Sequence, residues 1–81
     1  MDIAHYLGNL EKGQNAVIIG IIADCKEEIR QRLLDIGFVR GTKISLQNKS
    51  PLNDPKAYLI HDTLISLRKE DAQKVLIEIK E

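Results

Sequence analysis

From Thr42 to Lys80 the chain alternates apolar and polar residues in short runs, and breakers separate the runs. Successive side chains point to opposite faces of a strand, so this period of two predicts half-buried β-structure. Thr42 to Lys49 sets Ile44 and Leu46 against Lys43, Ser45 and Gln47. Lys56 to His61 puts Ala57 and Leu59 on one face and Tyr58 and Ile60 on the other. Leu64 to Arg68 reads as its returning strand after a tight turn at Asp62-Thr63. In Val75 to Lys80, Val75, Ile77 and Ile79 oppose Leu76, Glu78 and Lys80. Two prolines and an Asn-Asp pair make Ser50-Pro51-Leu52-Asn53-Asp54-Pro55 a loop. Lys69 to Lys74 suits one helical turn.

Upstream, Ala16 to Ala23 (AVIIGIIA) is apolar apart from Gly20. A run this short, rich in β-branched residues, predicts a buried strand, and Gly20 predicts a bulge or bend within it. Asp24 to Ile36 carries the strongest helical pattern: Ile29, Leu33 and Ile36 at i, i+4 and i+7, widened by Leu34. Asp24 with Glu27 three residues later has the form of a capping box, which places Cys25 at the first helical position. Glu27, Gln31 and Asp35 form the wet face, and Gly37 suits a left-handed helix end. Phe38-Val39-Arg40-Gly41 is read as a turn with two apolar anchors. At the start of the chain, Asp2 as a cap and Ile3, Tyr6 and Leu7 at helical spacing predict a short helical turn ended by Gly8. Leu10 to Gly13 then turns into the first strand.

The expected architecture is therefore mainly β, a small α+β domain of five short strands, one main helix and short helical turns. A strongly bent antiparallel sheet closed as a barrel buries most strand edges. With 81 residues there is room for one domain, taken as residues 1–81. The core must be modest at this size. Twelve Ile, ten Leu, three Val and one Phe still provide enough branched apolar mass for a folded chain.

Composition also excludes function classes. Twelve basic residues balance twelve acidic ones, which argues against a nucleic-acid binder with a broad positive face. No apolar run is long enough to span a bilayer, and the first residues lack the form of a signal peptide. A single cysteine cannot form an internal disulfide, which fits a reducing cytoplasm.

The segment RQRLLDIGFVRGTKISL, residues 30–46, resembles the signature of FeoA domains: a helix ending in R-L-x-x-[LM]-G, a turn with V-x-G, then a strand. Arg32, Leu33, Ile36, Gly37, Val39 and Gly41 fill that pattern. Leu10-Glu11-Lys12-Gly13 is similar to the family's L-x-x-G, Pro51 to Pro55 to its P-L-G-D-P loop, and Leu64 to Arg68 to its closing strand. The chain departs from the pattern at Ile36, at Asn53 and at Asp62. The resemblance implies an SH3-like β-barrel. It also implies a cytoplasmic accessory role in bacterial ferrous-iron uptake, through contact with FeoB, a membrane transporter with a cytoplasmic GTPase domain.

The chain has no phosphate-cradling glycine loop, and no serine lies in a recognised triad arrangement, so no enzymatic activity is expected. The surface is then the functional candidate. Leu52, Asn53 and Asp54 form a long, proline-stiffened loop suited to a preorganised contact. Arg32 and Arg40, near the helix end, are the other candidate partner residues; for Arg32 the alternative is an ion pair with Asp35 or Glu28. No resident cofactor is expected. The alternative function is a sensor or metallochaperone binding Fe2+ or another divalent metal, with His61, Asp62, Cys25 and His5 as its ligand candidates. They contain no C-x-x-C or H-x-x-x-H pair. Edge strands of an incompletely closed barrel leave a homodimer open.

Overall fold

A computed structural model describes residues 4–49 and 54–80. The alternating runs form strands β3 (Lys43–Lys49), β4 (Lys56–Ile60), β5 (Thr63–Leu67) and β6 (Val75–Lys80), following β1 (Ala4–Tyr6) and β2 (Asn15–Ile21). Helix α1 (Glu27–Ile36) joins β2 to β3, and the single turn α2 (Lys69–Ala72) joins β5 to β6. The sheet order is β1-β6-β2-β3-β4-β5, with all neighbours antiparallel. The bent sheet wraps one core built from Leu33, Phe38, Leu46, Tyr58, Val75 and Ile77 with their neighbours. The ladder stays open between β1 and β5, and an isolated parallel bridge joins Lys12 to Leu46 among the described residues.

The sixth strand corrects the expected helical turn near the start. Ala4, His5 and Tyr6 are extended and pair with Glu78, Ile77 and Leu76. A helix of six residues is marginal alone, whereas β6 offers a ready ladder. Asp2 and Ile3 lie outside the described residues. Helical geometry enters only at the 3₁₀ turn Leu7–Asn9, which buries Leu7.

The capping box also fails. Helix α1 begins at Glu27 with Lys26 as its cap, and no side chain caps it. Residues 23–25 form a bend, so Cys25 precedes the helix. Tertiary contacts explain the later start. The Ile22 amide donates to the Lys74 carbonyl at 2.9 Å, and Arg30 Nη2 donates back to the Ile22 carbonyl at 2.8 Å. These bonds fix the backbone at Ile22, just ahead of the bend at residues 23–25, so the helix starts only after that bend. Glu27 and Glu28 still occupy the positive helix start.

The helix end follows expectation. Gly37 has φ 125°, its amide donates to Leu34 at 3.1 Å, and the Phe38 amide donates to Leu33 at 3.0 Å. This is a Schellman stop, and its characteristic apolar pair is Leu33 with Phe38, both fully buried. Ile36, expected on the buried stripe, is 37% exposed, because Phe38 fills that part of the core after the chain turns. Val39 is likewise exposed, so the turn has one anchor rather than two. The Gly41 amide donates to Ile18 and the Ile18 amide to Thr42, each at 2.8 Å, which stitches this turn to β2.

The bulge at Gly20 is present as a register shift between Ile18 and Gly20. A second shift, between Leu46 and Asn48, has no glycine to announce it. The β4–β5 turn is centred on His61 and Asp62, one residue earlier than expected, with φ of 52° and 61°. Positive φ at both central positions matches the twist of a two-residue hairpin.

Candidate partner-binding site

Three places gather the candidate residues. The first is the contact between α1 and α2. Arg32 Nη2 lies 3.3 Å from Asp71 Oδ2, so its partner is on the other helix rather than at Asp35 or Glu28. Asp35 accepts instead from Gln31 Nε2 at 2.9 Å. The guanidinium remains well exposed, so this bridge adds little stability and leaves the arginine accessible.

The second is the end of the β3–β4 loop. Leu52 and Asn53 lie outside the described residues. Asp54 Oδ1 accepts the backbone amide of Lys69 at 2.8 Å, which satisfies an otherwise orphaned donor at the start of α2. Its negative charge also reaches Tyr58, which is buried and donates to the Leu7 carbonyl at 3.5 Å. Burial, helped by the Asp54 carboxylate, pushes the Tyr58 phenol up to about 12. Nearby, Lys56 Nζ donates to the Gly8 carbonyl at 2.9 Å.

The third is a groove of about 870 Å³ on the outer face of the sheet. The turn after α1 brings Arg40 to it, β3 brings Lys43, β6 brings Lys80, and the β4–β5 turn brings His61 and Asp62. Its floor includes Val17 and Leu59. Lys80 pairs with Glu78. Arg40 and Lys43 have no ion pair among the described residues. Of the candidates read from sequence, Arg40, His61 and Asp62 converge here, while Arg32 and Asp54 do not line it.

The metal-ligand candidates do not assemble as a set. Among the described residues no group of three or more His, Cys, Asp or Glu is placed to hold a metal ion. Cys25 sits in the bend before α1, with its Sγ 3.6 Å from the Lys26 carbonyl. His5 is in β1 opposite Ile77. The His61 ring lies against Gly37. Lys43, Lys80 and Leu64 were not singled out as site residues from sequence. Lys43 and Lys80 read as ordinary polar strand positions and Leu64 carries no face in the pattern, so only cross-strand register shows that they share a face.

A model of the FeoA domain matches residues 5–79. The chain belongs to the FeoA family. Its FeoA domain is 40% identical over 73 residues to the Fe(2+) transport protein A/Fe(2+) transporter FeoB fusion protein of Porphyromonas gingivalis (strain ATCC BAA-308 / W83). That match covers 90% of this chain and 8% of the fusion protein, so the chain spans a small part of that relative's length. Among solved structures, an FeoA-like protein from Clostridium acetobutylicum superimposes with a TM-score of 0.87 at 32% identity, covering 100% of this chain and 92% of the other. The FeoA of Stenotrophomonas maltophilia, a procaryotic SH3 domain protein complexed with zinc, superimposes with a TM-score of 0.76 at 25% identity, covering 95% and 88%. The SH3-like, mainly β fold expected from sequence is therefore the fold of this FeoA domain. No helix among the described residues is long and apolar enough to cross a membrane.

Proposed function

We propose that this FeoA domain is a non-enzymatic accessory module of ferrous-iron uptake. It contacts the cytoplasmic side of a FeoB-type GTPase-permease and modulates it through protein contact. One observation carries the reading: the Porphyromonas gingivalis relative joins a transport protein A and a FeoB transporter in one protein. Fusion holds two modules at high effective concentration, which is useful when they act on each other. The groove at Arg40, the exposed Arg32 and the loop at Leu52, Asn53 and Asp54 are the surfaces offered for that contact.

The test is capture of a FeoB cytoplasmic domain by the immobilised chain. Wild type is expected to retain it, and Arg40→Glu or Leu52→Ala to retain less. No retention by wild type overturns the reading. Equal retention by Leu52→Ala removes the loop from it.

The alternative, a metal-binding sensor, has one favourable observation in the zinc complex of the Stenotrophomonas maltophilia protein. Calorimetry with ferrous iron or zinc decides it, with His61→Ala as the control. Absence of heat at micromolar concentration ends it.

A further inference from the structure

Register partners place five residues in one row across the outer face: Lys80 opposite Asn15, Asn15 opposite Ser45, Ser45 opposite Leu59, and Leu59 opposite Leu64. At strand spacing the row is roughly 19 Å long. It runs from a cationic end at Lys80 to an apolar end at Leu64, which is 61% exposed on the edge strand. A second row sets Val17 between Glu78 and Lys43. The face therefore carries Val17, Leu59 and Leu64 beside the cations Lys43 and Lys80, with Glu78 on the same face and paired to Lys80. Of the charged residues lining the groove, three are positive (Arg40, Lys43 and Lys80) and one, Asp62, is negative. In a chain of zero net charge this is a local excess, and Arg40 and Lys43 have no carboxylate partner of their own among the described residues.

We propose that this face takes a short acidic segment of a partner protein, in which carboxylates alternate with branched apolar side chains. An extended segment presents side chains alternately, so its apolar side packs on Leu59, Leu64 and Val17. Its carboxylates meet Arg40, Lys43 and Lys80 at the groove rim. Such charge complementarity selects the partner and speeds the encounter more than it deepens affinity. The identification of that partner with the transporter rests on the function proposed above; the chemistry of the segment does not.

The experiment uses a fluorescently labelled, capped peptide alternating glutamate with valine and leucine, titrated with the full chain. Saturable binding is expected, weakening as salt rises. Arg40→Glu combined with Lys43→Glu is expected to weaken it about tenfold. Leu64→Ser, an exposed change that does not threaten folding, is expected to weaken it about threefold. A peptide with lysine in place of glutamate is expected not to bind. Equal binding of the lysine peptide, unchanged binding by the charge-reversed variant, or tighter binding of a single-stranded oligonucleotide overturns the proposal. The same double variant in the transporter-capture assay separates the two ideas. Full capture by the variant removes the groove from the coupling, and no capture by wild type removes the coupling while the peptide result stands.

Discussion

The carboxylate of Asp54 holds the backbone amide of Lys69 at 2.8 Å, across 15 positions of sequence. A loop residue thus does for α2 what a local cap does for longer helices. Asp54→Ala is expected to cost about 1 kcal/mol, and Asp54→Asn, which keeps an acceptor, only part of that. Urea unfolding midpoints of the two variants check it. Equal losses would show that the carboxylate's charge at the start of α2, rather than the hydrogen bond itself, is what the side chain contributes.

The Schellman stop makes Gly37 hard to replace. A Cβ there would lie 3.2 Å from His61 Cδ2, on a backbone at φ 125°. Gly37→Ala is expected to destabilise by about 2 kcal/mol. Adding His61→Ala relieves the crowding but not the backbone strain, so the double variant is expected to recover only a fraction. A double-mutant cycle measured by denaturant unfolding gives that fraction directly.

The pH dependence follows from Tyr58, whose phenol ordinarily ionises near 10 and here is held up to about 12. The unfolded chain releases this proton first, so it binds fewer protons than the folded chain between those two values. Stability is then complete below pH 10 and falls as pH rises through 10 toward 12. Tyr58→Phe is expected to remove that part of the alkaline loss at a small cost at neutral pH, where only the long hydrogen bond to Leu7 is given up. Unfolding midpoints across the alkaline range, compared between the two proteins, test it.

Arg32 offers a contrast. Its bridge to Asp71 is exposed, so Arg32→Ala is expected to change stability by less than about 1 kcal/mol. Any larger loss in partner capture by that variant therefore reports contact rather than folding.

Leu33 is fully buried where α1, Phe38 and the sheet meet. Leu33→Ala is expected to cost about 3 kcal/mol, by lost transfer energy and the cavity left behind. Thermal unfolding checks this, and Ile36→Ala on the exposed side of the same helix serves as the mild control.

What the sequence made legible was whatever rests on local rules. Period-two alternation located β3 to β6 within a residue or two, Gly20 marked its bulge, and Gly37 marked the helix end. What escaped was set by distant partners. Residues 4–6 are a strand because β6 has a free edge. Asp24 caps nothing because Arg30 and Lys74 fix the backbone before the helix. Ile36 is exposed because Phe38 reaches the core first. The candidate site divides the same way: Arg40, His61 and Asp62 could be singled out one by one, but Lys43, Lys80 and Leu64 join them only through the registers of five strands.

Because β1 and β6 are register partners, with Ala4 opposite Glu78, the first and last described strands lie side by side along one flank of the sheet. A covalent tether continuing from β1 or from β6 would leave from that flank, so extra polypeptide need not cross the far flank, where β5 runs. Joining this domain to a much larger protein thus asks for no rearrangement of its architecture.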